Sequence, residues 1–88
     1  MQCFDNGAFY SVTVTRTEVS EFADNWPCSG LNRDRGVTFQ FDKRNGDLVD
    51  STDSRNHPHA DGSAILALSQ DAQAYGCKRL GIENPHAK

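Results

Sequence analysis

The sequence has few basic side chains and no basic cluster, which argues against direct binding to DNA or RNA. Its nine lysines and arginines are outnumbered by twelve acidic residues, so the formal net charge is −3. Surfaces that bind phosphates normally concentrate positive charge on one face. The nearest approach to such a face is interrupted by aspartates and consists of Arg33, Arg35, Lys43 and Arg44. We therefore expect no direct nucleic-acid partner.

Long apolar runs and paired cysteines are also missing. No window approaches the roughly twenty apolar residues of a membrane span, and the first residues lack the basic and apolar regions of a signal peptide. The three cysteines, Cys3, Cys28 and Cys77, form no Cys-x-x-Cys pair. These absences favour a cytoplasmic protein with free thiols and no membrane partner.

The length of 88 residues allows one domain with a modest core. The patterned region runs from about residue 8 to residue 80, and we expect residues 1–7 and 83–88 to be tails. A core of this size leaves a thin margin of stability, so the sequence leaves a homodimer open.

Three segments have the alternation of a half-buried strand. The first runs from Phe9 to Thr17, the second from Val37 to Asp42, and the third from Asp47 to Thr52. The run Arg44–Gly46 predicts a hairpin between the second and third strands. These segments therefore predict a mainly antiparallel sheet of three strands.

The register of that hairpin can be predicted, since residues that face each other across two strands share one side of the sheet. A two-residue turn would place the apolar Phe41 opposite Asp50. A three-residue loop with a left-handed Gly46 instead places Phe41 opposite Val49 and Gln40 opposite Asp50. We expect the second arrangement, because it pairs apolar with apolar and polar with polar.

The first predicted helix is indicated by apolar residues at helical spacing. Either Thr15, with Glu18 three residues on, or Thr17 can cap it; we favour Thr17, which leaves the preceding strand its full length. Pro27 ends the helix. Its apolar face consists of Val19, Phe22, Ala23 and Trp26.

A second, longer helix begins near Asp61 or Ser63, either of which can cap it. Gly76 or Gly81 ends it, and the spacing leaves both open. Its predicted apolar stripe consists of Ile65, Leu68, Ala72 and Tyr75.

The resulting order is β-α-β-β-α, an α+β domain with a three-stranded sheet and both helices on one face. That face carries Val12, Val14, Phe39 and Phe41. The opposite face meets solvent or a partner and carries Thr13, Thr15, Thr38, Gln40 and Asp50.

The segment 52–60 is polar and is expected to be an exposed loop. The spacing His57-x-His59-x-Asp61 in and after it is the best candidate for a metal site, with Asp53 and His86 as further ligands. Without a second spaced pair of ligands, we predict no metal and no cofactor.

A thiol nucleophile is the other catalytic candidate. Cys28 follows a Trp-Pro step, and His57 or His59 would serve as its base. No recognised nucleophile pattern surrounds this cysteine, and no phosphate loop or serine elbow occurs elsewhere. We assign no catalytic residue and favour a non-enzymatic role.

Acidic residues cluster along the hairpin and its surroundings. They form either a solvated strand edge, where charge discourages unwanted pairing, or an acidic rim that binds a basic protein partner. Neither calcium nor magnesium is favoured, because the Asp-x-Asp-x-Asp-Gly loop is absent. The candidate partner-binding residues are Gln40, Asp42, Asp47, Asp50 and Asp53.

Three groups of residues together resemble short uncharacterised proteins of bacterial phages, prophages and mobile elements. They are Trp26–Leu31, Phe39–Asp42 with Asn45–Asp50, and Ala67–Ala72. The resemblance implies a genomic setting, with the host cytoplasm as compartment, and transfers no catalytic residue. Small proteins in that setting often bind and modulate host or defence machinery, as anti-CRISPR proteins do.

These observations lead to three hypotheses. The first is a non-enzymatic module that binds and modulates a host or defence protein, with a basic, nucleic-acid-handling protein as the expected partner. The second is a homo-oligomeric structural or accessory protein that associates through the open face or an edge of the sheet. The third is a small metal- or thiol-dependent enzyme.

Overall fold

The computed structural model describes residues 1–25 and 30–85. Four strands and three helices lie in these residues. In chain order they are β1 (Gln2–Asn6), β2 (Phe9–Val14), α1 (Arg16–Asn25), β3 (Val37–Asp42), β4 (Leu48–Ser51), α2 (Asp53–Asn56) and α3 (Gly62–Leu80).

The strands form one antiparallel sheet in the order β1-β2-β3-β4. The α+β class is confirmed, but the prediction of three strands is wrong, because β1 lies in the segment 1–7 that was expected to be a tail. A two-residue turn at Gly7 and Ala8 pairs β1 with β2 along its whole length. Most of β1 is exposed. Backbone hydrogen bonds hold this strand in the sheet, and because its side chains are mostly exposed the sequence shows no apolar alternation there.

One face of the sheet forms the core, as the alternation predicted. The face is paired residue by residue across β2 and β3, with Tyr10 opposite Phe41 and Val12 opposite Phe39. The rings of Tyr10 and Phe41 stack with centroids 5.2 Å apart. Against this face pack the buried residues of the helices, namely Val19, Ala23, Ala64, Leu68, Ala72 and Cys77.

Helix α1 begins two residues earlier than we favoured. Thr15 is its cap: the Thr15 N–H donates to Glu18 Oε1 at 3.2 Å, and the Glu18 N–H donates to Thr15 Oγ1 at 3.3 Å. The reciprocal bonds satisfy two otherwise unpaired donors. The preference for Thr17 was wrong because β2 ends at Val14, so capping at Thr15 costs the strand no pairing.

Helix α3 is capped by Asp61, whose Oδ1 accepts the Ser63 N–H at 2.8 Å. It ends at Gly81, which adopts a left-handed conformation with φ 68°. Gly76 lies inside the helix. The most deeply buried stripe runs through Ala64, Leu68, Ala72 and Gly76, whereas the predicted Ile65 and Tyr75 are half-buried at its flanks.

The segment predicted to be an exposed loop contains α2 and a buried histidine. His57 is only 3% exposed, and its Nδ1 accepts the Asn32 N–H at 2.9 Å. The neighbouring Asn56 side chain donates to the Gly36 carbonyl at 2.6 Å. These two bonds tie the loop before β3 to α2, which is why His57 is buried within a polar segment.

The hairpin register was predicted correctly at one end and wrongly at the other. Gln40 lies opposite Asp50 as expected, but Phe41 lies opposite Leu48 instead of Val49. The Gly46 N–H donates to the Asp42 carbonyl at 2.8 Å and the Asp42 N–H donates to the Asp47 carbonyl at 2.9 Å, so the loop has one residue more than expected. A bulge in β4 then restores the pairing.

Candidate functional site: the acidic hairpin and the cleft at its base

One residue of the predicted acidic rim is buried in the structure. Asp42 is buried, and its carboxylate accepts two hydrogen bonds from the Arg44 side chain, at 3.2 Å to Nε and 2.8 Å to Nη2. These bonds hold the pKa of Asp42 below its ordinary value. Because its charge is neutralised by Arg44 within the hairpin, the Asp42 carboxylate stabilises the conformation of the loop.

Asp47 and Asp50 remain exposed at the two ends of a short apolar stretch. Among the described residues, neither carboxylate forms an ion pair. Between them lie Leu48 and Val49, whose exposed fractions are 44% and 48%. An exposed apolar surface that is rimmed by polar residues is an arrangement typical of interaction sites. We call the four residues Asp47–Asp50 the hairpin patch.

The remaining predicted rim residues differ in accessibility. Gln40 is half-buried on the open face of the sheet, directly opposite Asp50. Asp53 is half-buried as well, and its Oδ1 accepts the Ser51 hydroxyl at 2.6 Å. The accessible part of the predicted site is therefore the hairpin patch, with Gln40 beside it.

The outer edge of β4 is poorly suited to adding another strand. The strand has four residues and carries a bulge. The Ser51 N–H is already bonded to Asp50 Oδ1 at 2.9 Å. Such features are the ones that natural sheets use to prevent edge pairing. Recognition at the hairpin patch would therefore depend on side chains.

The hairpin is held against α3 through Gly46. The buried Gln73 side chain donates to the Gly46 carbonyl at 2.6 Å. Gly46 has a φ of 76°, and a Cβ there would lie 2.3 Å from Pro85 Cγ. The left-handed Gly46 predicted from the sequence is confirmed, and it permits this close approach. The result is a loop in a fixed position on the core.

A cleft of about 360 Å³ lies between this loop and the end of α3. At its inner end the Tyr10 hydroxyl is 3.3 Å from Cys77 Sγ. Burial and the neighbouring thiol raise the pKa of Tyr10. The lining is completed by the hairpin loop 42–46 and by Ile82, Glu83 and Pro85.

The thiol of Cys77 lies at the inner end of the cleft, beside the Tyr10 hydroxyl. A cysteine nucleophile is activated by an adjacent base, usually histidine, or by nearby positive charge. Among the described residues that line the cleft, none is a histidine. Cys77 is buried beneath the Tyr10 hydroxyl and donates toward the Glu83 carbonyl at 3.7 Å.

The predicted metal ligands do not converge. His57 is turned into the fold to bond Asn32, and Asp61 caps α3. His59 is exposed. Within residues 1–25 and 30–85, no three histidine, cysteine or acidic side chains are grouped closely enough to hold a metal ion. The predicted recruit His86, like the predicted nucleophile Cys28 and the apolar Trp26, lies outside the described residues.

His57 is a feature that the sequence did not reveal. Because Nδ1 accepts a hydrogen bond, the neutral ring carries its proton on Nε2, which is buried without a hydrogen-bond partner in the described part of the chain. Burial lowers the pKa of His57, while the Gly36 carbonyl and the Asp53 charge act in the opposite direction. No pattern of neighbouring residues signals this burial.

Comparisons with protein-family models, with curated proteins and with solved structures found no match. In the described residues, every helix is too short or too polar to cross a membrane. A function for this chain must therefore be inferred from its own surface and cleft.

Proposed function

We propose that this protein is a non-enzymatic binding module that recognises a basic protein partner through the hairpin patch. One observation carries the proposal: Leu48 and Val49 are exposed between two carboxylates that have no ion-pair partner in the described structure. The apolar pair would supply the buried centre of a contact. Asp47 and Asp50 would supply its charged rim, which guides association and selects a basic surface.

The position of the patch supports this role. Gln73 and Gly46 fix the hairpin on α3, while the Asp42–Arg44 pair braces the loop from within. A surface that is rigid before binding loses less conformational entropy when it binds. The resemblance to small phage and mobile-element proteins motivates the further proposal that the partner is a host or defence protein that handles nucleic acid.

The test is a comparison of two double charge reversals in capture from a host lysate. Asp47→Lys with Asp50→Lys alters the hairpin patch. Glu21→Lys with Asp71→Lys makes the same change in net charge at exposed positions on α1 and α3. We expect the first variant to lose about tenfold or more of its captured basic protein. The second variant should retain it.

Salt provides an independent arm of the same experiment. Because exposed charges are screened within about 8 Å at physiological ionic strength, capture should weaken as salt is added. Equal capture by the two double variants, or no specific partner for the wild-type chain, would overturn the proposal. Circular dichroism would check that both variants are folded.

A further inference from the structure

The two edges of the sheet differ in how well they are protected from further pairing. The edge at β4 is short, bulged and partly capped by Asp50. The edge at β1 has five residues in unbroken register with β2, and it contains no bulge, proline or lysine. No described strand pairs with its outer side. Natural sheets seldom leave such an edge open without a use for it.

The backbone groups that face outward on β1 can be assigned from the hairpin geometry. A two-residue turn makes Asn6 and Phe9 a hydrogen-bonded pair. Because such pairs alternate along an antiparallel ladder, the backbone groups of Asn6, Phe4 and Gln2 point toward β2. The Lys43 N–H donates to the Ala8 carbonyl at 3.0 Å, which places the neighbouring Phe9 groups on the β1 side. The outward groups are consequently those of Cys3 and Asp5.

The middle residue of β1 is an exposed aromatic. Phe4 is 50% exposed and lies opposite Ser11 on the open face of the sheet. Because it lies between Cys3 and Asp5, an antiparallel strand centred on Phe4 would receive two hydrogen-bonded pairs, one on each side. The two central side chains would then meet at the closer, non-hydrogen-bonded spacing.

We propose that β1 is a homodimerisation edge, at which a second copy of this chain pairs antiparallel about a two-fold axis through Phe4. The strand is complementary to itself in this register. Phe4 meets its own copy, Cys3 faces Asp5 of the other chain, and Gln2 faces Asn6. On the open face, Phe4 thus meets an apolar partner and Gln2 a polar one, while the Cys3–Asp5 pairs lie on the core-facing side.

The charge on β1 is also compatible with a second copy of this chain at the same edge. Asp5 is the one charged residue of β1, and Lys43 of the same chain forms an ion pair with it. Bonds from Lys43 and from the Gly7 N–H hold the pKa of Asp5 below its ordinary value, so it remains ionised and paired. Two copies therefore approach without uncompensated like charges across the axis.

Dimerisation at this edge leaves the hairpin patch free. The continuous sheet would have eight strands, with a β4 hairpin at each end. Seven interstrand spacings place the two ends roughly 34 Å apart. The dimer would present two identical patches to a partner, although the inference does not depend on that role. Because one strand edge buries little surface, we expect the dimer to be weak and to dissociate on dilution.

The test measures mass and backbone protection together on the whole chain. Sedimentation velocity should show a shift from monomer to dimer as the concentration rises from micromolar to millimolar. Hydrogen exchange should show the amides of Cys3 and Asp5 becoming protected over the same range. Protection at these two amides separates edge pairing from any other mode of association.

A pair of substitutions completes the test. Phe4→Lys places two positive charges at the axis and should raise the dissociation constant about tenfold or more. Leu66→Lys introduces the same charge at another exposed apolar position, which is 58% exposed on α3, and should leave it unchanged. A monomer at every concentration, a dimer with unprotected Cys3 and Asp5 amides, or equal effects of the two substitutions would overturn the inference.

Discussion

Gly76 and Tyr10 are in closer contact than any larger residue at position 76 would permit. A Cβ on Gly76 would lie 2.6 Å from Cε2 of the Tyr10 ring and 2.9 Å from Val12 Cγ2. The missing side chain lets α3 settle directly onto β2. This contact also sets the position of Cys77 and of the inner end of the cleft.

Gly76→Ala should therefore destabilise the protein by about 1–3 kcal/mol through overpacking, despite the better helix propensity of alanine. Gly62→Ala is the matched control, because no atom lies within 4 Å of a Cβ at that position. It should be neutral or slightly stabilising. Urea denaturation measures both free energies of unfolding, and equal values would contradict the close contact.

The close contact that holds Gly46 of the hairpin against Gln73 and Pro85 can be tested by a second pair of glycines. Gly46 and Gly7 both have positive φ, but only Gly46 is crowded by Pro85 and Gln73. Both alanine variants lose the conformational freedom of glycine. Gly46→Ala should cost about 1–3 kcal/mol more than Gly7→Ala in thermal or urea unfolding. Similar losses in the free energy of unfolding at the two positions would contradict the close contact at Gly46.

The first helix offers a comparison of two threonines. Thr15 caps α1 through reciprocal bonds with Glu18. Thr15→Ala should lower the free energy of unfolding by about 0.5–2 kcal/mol. Thr17→Ala, at an exposed position inside the helix, should change it by less than about 0.5 kcal/mol. A larger loss at Thr17 would show that the helix begins later than the structure indicates.

His57 should make stability depend on pH in the mildly acidic range. Its pKa is lowered in the folded protein from a starting value of 6.5. Below pH 6.5 the unfolded chain therefore binds the proton more readily, and stability falls by up to about 1.4 kcal/mol per pH unit until the lowered pKa is reached. Above pH 6.5 this contribution is fully present. Chemical denaturation from pH 5 to 7.5 would measure it.

The controls for this effect come from the same segment. His57→Gln keeps an acceptor for the Asn32 N–H and removes the titration, so stability should become flatter over this pH range. His59→Gln, at an exposed position, should keep the slope of the wild type. If His57→Gln and the wild-type chain lost stability in parallel on acidification, His57 would not be the group responsible.

The predictable parts of this molecule are those that leave a pattern in the sequence. Val12, Phe39 and Leu68 follow strand or helix periodicity because each packs on a core that runs the length of its element. Strand β1 leaves no pattern, since backbone hydrogen bonds hold it while most of its side chains face solvent. The turn at Gly7 is the sequence feature that could have indicated this strand.

The candidate site was predictable in the same limited sense. The acidic character of Asp47 and Asp50 is visible in the sequence, and both are exposed in the structure. The burial of Asp42 depends on the path of the hairpin loop, which brings Arg44 back onto its carboxylate. His57 is buried by a loop that precedes it by more than twenty residues. No local pattern encodes such contacts.

The most direct test of the central proposal is site-specific photo-crosslinking in a host lysate. A photoreactive residue would replace Val49 in the hairpin patch or, as the control, Leu66 on the exposed side of α3. We expect the Val49 position to crosslink one basic protein and the Leu66 position not to crosslink it. Adding Asp47→Lys and Asp50→Lys should abolish that product. Crosslinking of the same protein from both positions, or no product from Val49, would contradict recognition through the hairpin patch.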